Sequence, residues 1–295
     1  MNMYAFAGLA IMVPAVPTMI ALMTSRQKAA RHARRQSLAA QARGERRRAS
    51  LWLGSLGNGY LDAGQVEQAV ESVRAALAIA QEIGDTQSEL AWLGTLGNIF
   101  GQCGDSEGAL AYHRQALALA RMIGDAPNEA AALGNLGLVL RGRGDPEAAV
   151  NFFVQARAAA GSAGDRQGEG VWLGNLGVAY TDLGRPEQAP RYLEPALAIA
   201  RETGDRQSEE LWLGSLGVVH QRLGQLDQAV DLFQAALALA RELGDDEHAW
   251  AWRRNLGDTY SQLGRLEQAS SCYQDGAAEK TGALFSGHVS RRLAA

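Results

Sequence analysis

The chain has 295 residues, 47% of them hydrophobic and 20% charged, which supplies enough apolar material for a packed core. Its net charge of −4 is unevenly spread: residues 26–48 carry nine bases and one acid, Glu45, so the rest of the chain is acidic. A mildly acidic body behind a basic arm argues against nucleic acid as a partner. Two cysteines, Cys103 and Cys272, with no Cys-x-x-Cys or Cys/His cluster, argue against a disulfide framework or a zinc site.

The first 25 residues hold no charged side chain, and Tyr4 to Met23 is mostly apolar. Twenty helical residues at about 1.5 Å each match a hydrocarbon core of roughly 30 Å. The bases just after it (Arg26, Lys28, Arg31, Arg34, Arg35) would hold the rest of the chain in the cytoplasm, at the inner face of the membrane. Pro14 and Pro17 weaken that helix, and Met19 or Met23 offers a later start, so a membrane anchor and a misassigned start both stay open. The basic arm, residues 26–49, reads as a solvated helix attracted to anionic lipid, as a charged cap on the end of the acidic body, or as a nucleic-acid contact, which the lack of aromatics among its charges disfavours.

From residue 50 one block returns every forty residues: LWLGSLGNGY at 51, AWLGTLGNIF at 91, AALGNLGLVL at 131, VWLGNLGVAY at 171, LWLGSLGVVH at 211 and AWRRNLGDTY at 251. A period of this length signals stacked repeats, each too small to bury its apolar face alone. Within the first repeat, Leu53, Leu56, Gly57 and Tyr60 fall at helical spacing, as do Val66, Ala69, Val70, Val73, Leu77, Ala80 and Ile83. Each repeat is therefore a hairpin of two amphipathic helices, each of roughly 15–17 residues.

The punctuation agrees. Gly64 and its equivalents end the first helix. A Gly-Asp column at 84, 124, 164, 204 and 244 closes the second helix with glycine and caps the next with aspartate. Pro146 and Pro186 suit a first helical turn. Pro190 and Pro195 fall inside the expected second helix of the fourth repeat, and Gly161, Ser162 and Ala163 weaken the third, which implies a soft joint near these two repeats or a kinked helix held by its neighbours.

These residues resemble the tetratricopeptide repeat, in the forty-residue variety found in kinesin light chains and LGN-type regulators. The resemblance covers residues 50–276, and a degenerate half-repeat at 36–45 would precede them. It implies an all-α, right-handed α-α superhelix of six 40-residue hairpins, a tetratricopeptide solenoid, with a tail at 277–295. It further implies a non-enzymatic scaffold or adaptor that holds a peptide or helix of a partner protein in a concave groove lined by first helices. A peptide-responsive sensor is the alternative.

Carried over residue by residue, the resemblance puts Asn58, Asn98, Leu138, Val178, Val218 and Asp258 on the groove just after Leu-Gly. Asp62, Gln102, Arg141, Asp182, Arg222 and Gln262 come one turn later. The basic clamp that some relatives use for a carboxylate is replaced by Gly54, Gly94, Gly134, Gly174 and Gly214, which would floor the groove, leaving Arg254 alone. Trp52, Trp92, Trp172, Trp212 and Trp252 form either a structural ladder or an exposed aromatic row. The five histidines are scattered and no phosphate-cradling GxxxxGK[ST] occurs, so no catalytic residue, cofactor or metal is expected.

Overall fold

The computed structural model describes residues 30–39 and 45–274, and the described residues form helices and short turns without strands. The chain divides into two compact units, one ending at Arg143 and the other beginning at Gly144. Residues 30–39 are helical. The first unit then contains α1 (Arg46–Asp62), α2 (Val66–Ile83), α3 (Thr86–Gln102), α4 (Ser106–Ile123) and α5 (Ala126–Gly142). The second contains α6 (Pro146–Ser162), α7 (Arg166–Asp182), α8 (Pro190–Thr203), α9 (Arg206–Arg222), α10 (Leu226–Leu243), α11 (Asp246–Gln262) and a helical stretch at 266–274.

The Gly-Asp pairs do the two jobs their chemistry suggests. Gly84 adopts φ 68°, its N–H bonding to the Gln81 carbonyl (3.2 Å) while the Asp85 N–H returns to the Ala80 carbonyl (2.9 Å). That double hydrogen bond satisfies carbonyls the helix leaves open. The Asp85 carboxylate then accepts from the Ser88 N–H and caps α3. Asp125, Asp165, Asp205 and Asp245 cap α5, α7, α9 and α11 in the same way.

Two glycines in each Leu-Gly-x-Leu-Gly block explain the packing. The second takes a large side chain from its own hairpin partner: a Cβ on Gly57 would lie 2.4 Å from Val73 Cγ2, and one on Gly217 would lie 2.7 Å from the Phe233 ring. The first, at Gly54, Gly174 and Gly214, takes the tryptophan of the next repeat. Trp92 covers Gly54, Trp212 covers Gly174 and Trp252 covers Gly214, each closer than any Cβ would permit. Hairpins thus bury each other's faces, and Leu96, Leu136, Leu176, Leu216, Phe153 and Phe233 are among the side chains enclosed.

The fourth repeat departs from expectation. Its second helix is neither continuous nor kinked at Pro190. It begins there, and Pro186 lies in the preceding turn instead of a first helical turn. Proline at the first position loses a bond that no helix start makes anyway, so the chain deletes a turn of helix and tolerates only Pro195 inside it.

The basic arm ends within α1. Arg46 pairs with Glu82, and Arg47 lies 2.9 Å from Asp85. Among the described residues no helix is long and apolar enough to cross a membrane; the apolar run at 4–23 and the tail at 277–295 lie outside them.

Candidate interaction face of the first helices

In each unit, first helices of consecutive repeats touch one another, α1 with α3 and α3 with α5, then α7 with α9 and α9 with α11. Among the described residues, second helices do not approach each other in this way. First helices therefore crowd on one side of each stack, and their outward stripes form one continuous face per unit. On α1 that stripe is Leu51, Ser55, Asn58 and Asp62, at i, i+4, i+7 and i+11, and Leu51 is 47% exposed.

The residues expected from the sequence fall on these faces with different availability. In the first unit Asn58, Asn98, Gln102 and Leu138 are exposed, as is Asp62, and Arg141 is half-buried. In the second, Asp182 and Gln262 are exposed, and Val178 and Val218 are half-buried. Arg222 is exposed, but its guanidinium is engaged: it donates to the Thr181 carbonyl at 2.6 Å, across to the preceding first helix. Asp258 is engaged too, accepting from the Tyr273 hydroxyl at 2.7 Å. Burial raises the Tyr273 pKa above its ordinary value and donation to Asp258 raises it further, so this bond holds across the physiological range.

The column that sequence reasoning passes over lies between the two glycines of each block. It reads Ser55, Thr95 and Asn135 in the first unit and Asn175, Ser215 and Asn255 in the second. Ser55 is exposed and the other five are half-buried. Every one is a hydroxyl or an amide that both donates and accepts. Two are oriented by their own helix: Thr95 Oγ1 donates to the Ala91 carbonyl and Asn175 Nδ2 to the Val171 carbonyl, each at 2.9 Å. The signal is present as a position never occupied by an apolar residue inside an otherwise apolar block. The asparagines just after Leu-Gly, Asn58 and Asn98, are more conspicuous and mask it.

The glycines at 54, 174 and 214 do not floor this face, because the tryptophan of the next repeat sits on them. Trp92, Trp212 and Trp252 are buried, which assigns them to a structural ladder. Arg254 is exposed and its guanidinium lies 4.9 Å from the Trp250 ring centroid.

Neighbouring packed helices lie roughly 8–10 Å apart, so one repeat spans about three residues of an extended peptide. A hydrogen-bonding side chain once per repeat can therefore pair with a peptide group at every third residue. Acids at 62, 182 and 258 and the arginines at 141 and 222 give the two faces mixed charge.

Comparison with known proteins accords with this geometry. The family model described as tetratricopeptide repeat matches residues 47–122, 88–162, 129–202, 168–240 and 207–278 in overlapping pairs. BtubC (BKLC) from P. vanneervenii is similar in structure at 18% identity, covering 90% of this chain and 92% of its own, with a TM-score of 0.56. The nearly identical TPR-like repeats of a kinesin light chain from Podospora anserina are 20% identical over 66% of this chain and 96% of theirs, with a TM-score of 0.54. A Rap protein complexed with competence and sporulation factor is 16% identical over 82% of this chain and 76% of its own, with a TM-score of 0.61. At these identities the likeness concerns the fold. No curated protein matches the sequence.

Proposed function

The chain belongs to the tetratricopeptide repeat family, and from that premise we propose that it is a non-enzymatic scaffold or adaptor, binding a peptide or helix of a partner protein along the faces of its first helices. The observation that carries this reading is the column Ser55, Thr95, Asn135, with its counterpart Asn175, Ser215, Asn255 in the second unit. Side chains that donate and accept at once match a peptide bond whatever the partner's own side chains are. Leu51 and Leu138 give the first face apolar contact, and Asn58, Asp62, Asn98, Gln102 and Arg141 supply its polar contacts. Asp182, Gln262 and the less available Arg222 and Asp258 complete the set on the second.

Affinity capture with the whole chain tests this, run beside Asn58→Ala/Asn98→Ala and Ser55→Ala/Asn135→Ala baits. Partners lost from the altered baits support the groove; equal recovery by all three contradicts it.

A second reading, a regulatory array that changes shape when a peptide binds, draws support from the likeness to the Rap protein solved with competence and sporulation factor. A ligand-dependent change in small-angle scattering favours that reading over a static scaffold.

A further inference from the structure

Glu210 is a carboxylate where the fold has no ordinary use for one. It lies on α9 at 2% exposure, in a column whose other members are Ser50, Leu90, Ala130, Gly170 and Trp250. A charge so enclosed is costly unless it is paired. Its Oε1 accepts from the Trp252 indole N–H. Its Oε2 lies 3.2 Å from His248 Nδ1, and the same nitrogen lies 3.1 Å from Asp245 Oδ2. One ligand atom from each of the three residues falls within 4.8 Å of the other two.

We propose that Glu210, Asp245 and His248 form a binding site for a divalent transition-metal cation, zinc being the best fit. An imidazole nitrogen with two carboxylate oxygens is a zinc-type donor set, and ligands around a tetrahedral ion with bonds of about 2.0–2.1 Å stand roughly 3.3 Å apart. The two measured edges are close to that. His248 and Asp245 are partly open to solvent, which gives an ion a way in and leaves room for water as a fourth ligand.

The outer hydrogen bonds are those that orient metal ligands. The Trp252 indole holds Glu210 through the oxygen the metal does not need. The backbone N–H of His248 holds Asp245 through Oδ1, at 3.0 Å, leaving Oδ2 for the ion. The His248 ring is further fixed by stacking on Trp252, with centroids 5.9 Å apart. The start of α11 opposes a cation with about half a positive charge, which the two carboxylates outweigh. Glu210 lies on α9 and Asp245 caps α11, successive first helices, so an occupied site would clamp one to the other.

Zinc chloride titrated calorimetrically into the whole chain tests the site, beside Glu210→Gln, Asp245→Asn and His248→Gln. Glutamine at position 210 retains an acceptor for Trp252 and asparagine at position 245 retains a helix cap, so these variants keep the fold, as circular dichroism will verify. One zinc per chain, bound at least about ten- to a hundredfold more weakly by each variant, the cost of losing even an outer-shell partner, and a cobalt(II) visible band of low-coordinate type lost with them, are the expected results. Absence of saturable binding at one per chain, or binding unchanged in the three variants, overturns the proposal and leaves Glu210 as an anchor for Trp252 and His248.

Discussion

The indole of Trp92 lies so close over Gly54 that a Cβ there would fall 2.1 Å from its Cη2. The same seat recurs beneath Trp212 and Trp252, at Gly174 and Gly214. It is empty at Gly94, where a Cβ would meet nothing within 4 Å, because the third repeat carries Ala132 where a tryptophan would stand.

Alanine substitution should therefore split the column. Gly54→Ala, Gly174→Ala and Gly214→Ala are expected to destabilise, since overpacking costs about 1–3 kcal/mol. Gly94→Ala should stabilise by up to about 1 kcal/mol through helix propensity alone. Chemical denaturation of the four variants measures this, and a Gly94 variant as damaged as the others would contradict the seat.

Tryptophans at equivalent positions should differ in what their N–H contributes. Trp92 Nε1 donates to Ser50 Oγ at 2.9 Å, and that hydroxyl in turn donates to the Ala76 carbonyl at 2.8 Å. Trp212 Nε1 is buried without a hydrogen-bond partner, its counterpart position being Gly170. An unsatisfied buried donor costs about 1–3 kcal/mol. Trp92→Phe should accordingly cost more stability than Trp212→Phe, by about 1 kcal/mol or more. Thermal unfolding of the pair decides it.

His113 should make the chain sensitive to mild acid. It is 2% exposed, it presses on Gly97, and burial lowers its pKa to about 4. The unfolded imidazole takes its proton near pH 6.5. Between those two values the unfolded state binds more protons, so stability is full above about pH 6.5 and drains away as pH falls toward 4. The column holds Phe153 and Phe233 elsewhere, so His113→Phe should fold and should flatten that limb. Stability profiles between pH 4 and 7 that superimpose for the two proteins would refute the assignment.

Arg157 occupies a column in which Leu77, Leu117, Leu197 and Leu237 are buried. It is exposed instead and reaches Glu169 at 3.6 Å, and beside it opens a cavity of about 330 Å³ against Leu173, Pro195 and Ile199. Arg157→Leu should fill part of that space and stabilise by about 1–2 kcal/mol, a gain visible as a higher denaturation midpoint.

The repeat, its helices and its caps are legible in the sequence because period, Gly-Asp spacing and apolar rhythm all report the same hairpin. The fourth repeat is less so. Pro190 reads as an insult to a helix, whereas the chain simply starts the helix there, an outcome that depends on whether the preceding turn can be spared. The glycines of the block read as groove floor because sequence shows their smallness and not what rests on them. Ser55, Thr95 and Asn135 escape notice for a related reason: their face becomes visible only when consecutive first helices are side by side. Glu210 gives no sequence signal at all, since its burial is made by Trp252 and His248 from the next repeat.

Recognition of peptide by the first-helix faces is tested with peptides selected from a displayed random library on the whole chain. Their affinity is then measured for the parent, for Asn58→Ala/Asn98→Ala/Asn135→Ala, and for Gln115→Ala on the exposed face of α4. Peptides should be recovered, and the triple variant should bind them about tenfold or more weakly, each lost contact being worth roughly 0.5–1.5 kcal/mol, while Gln115→Ala leaves affinity unchanged. Peptides that bind the triple variant as tightly as the parent, or that respond to Gln115 instead, would contradict it.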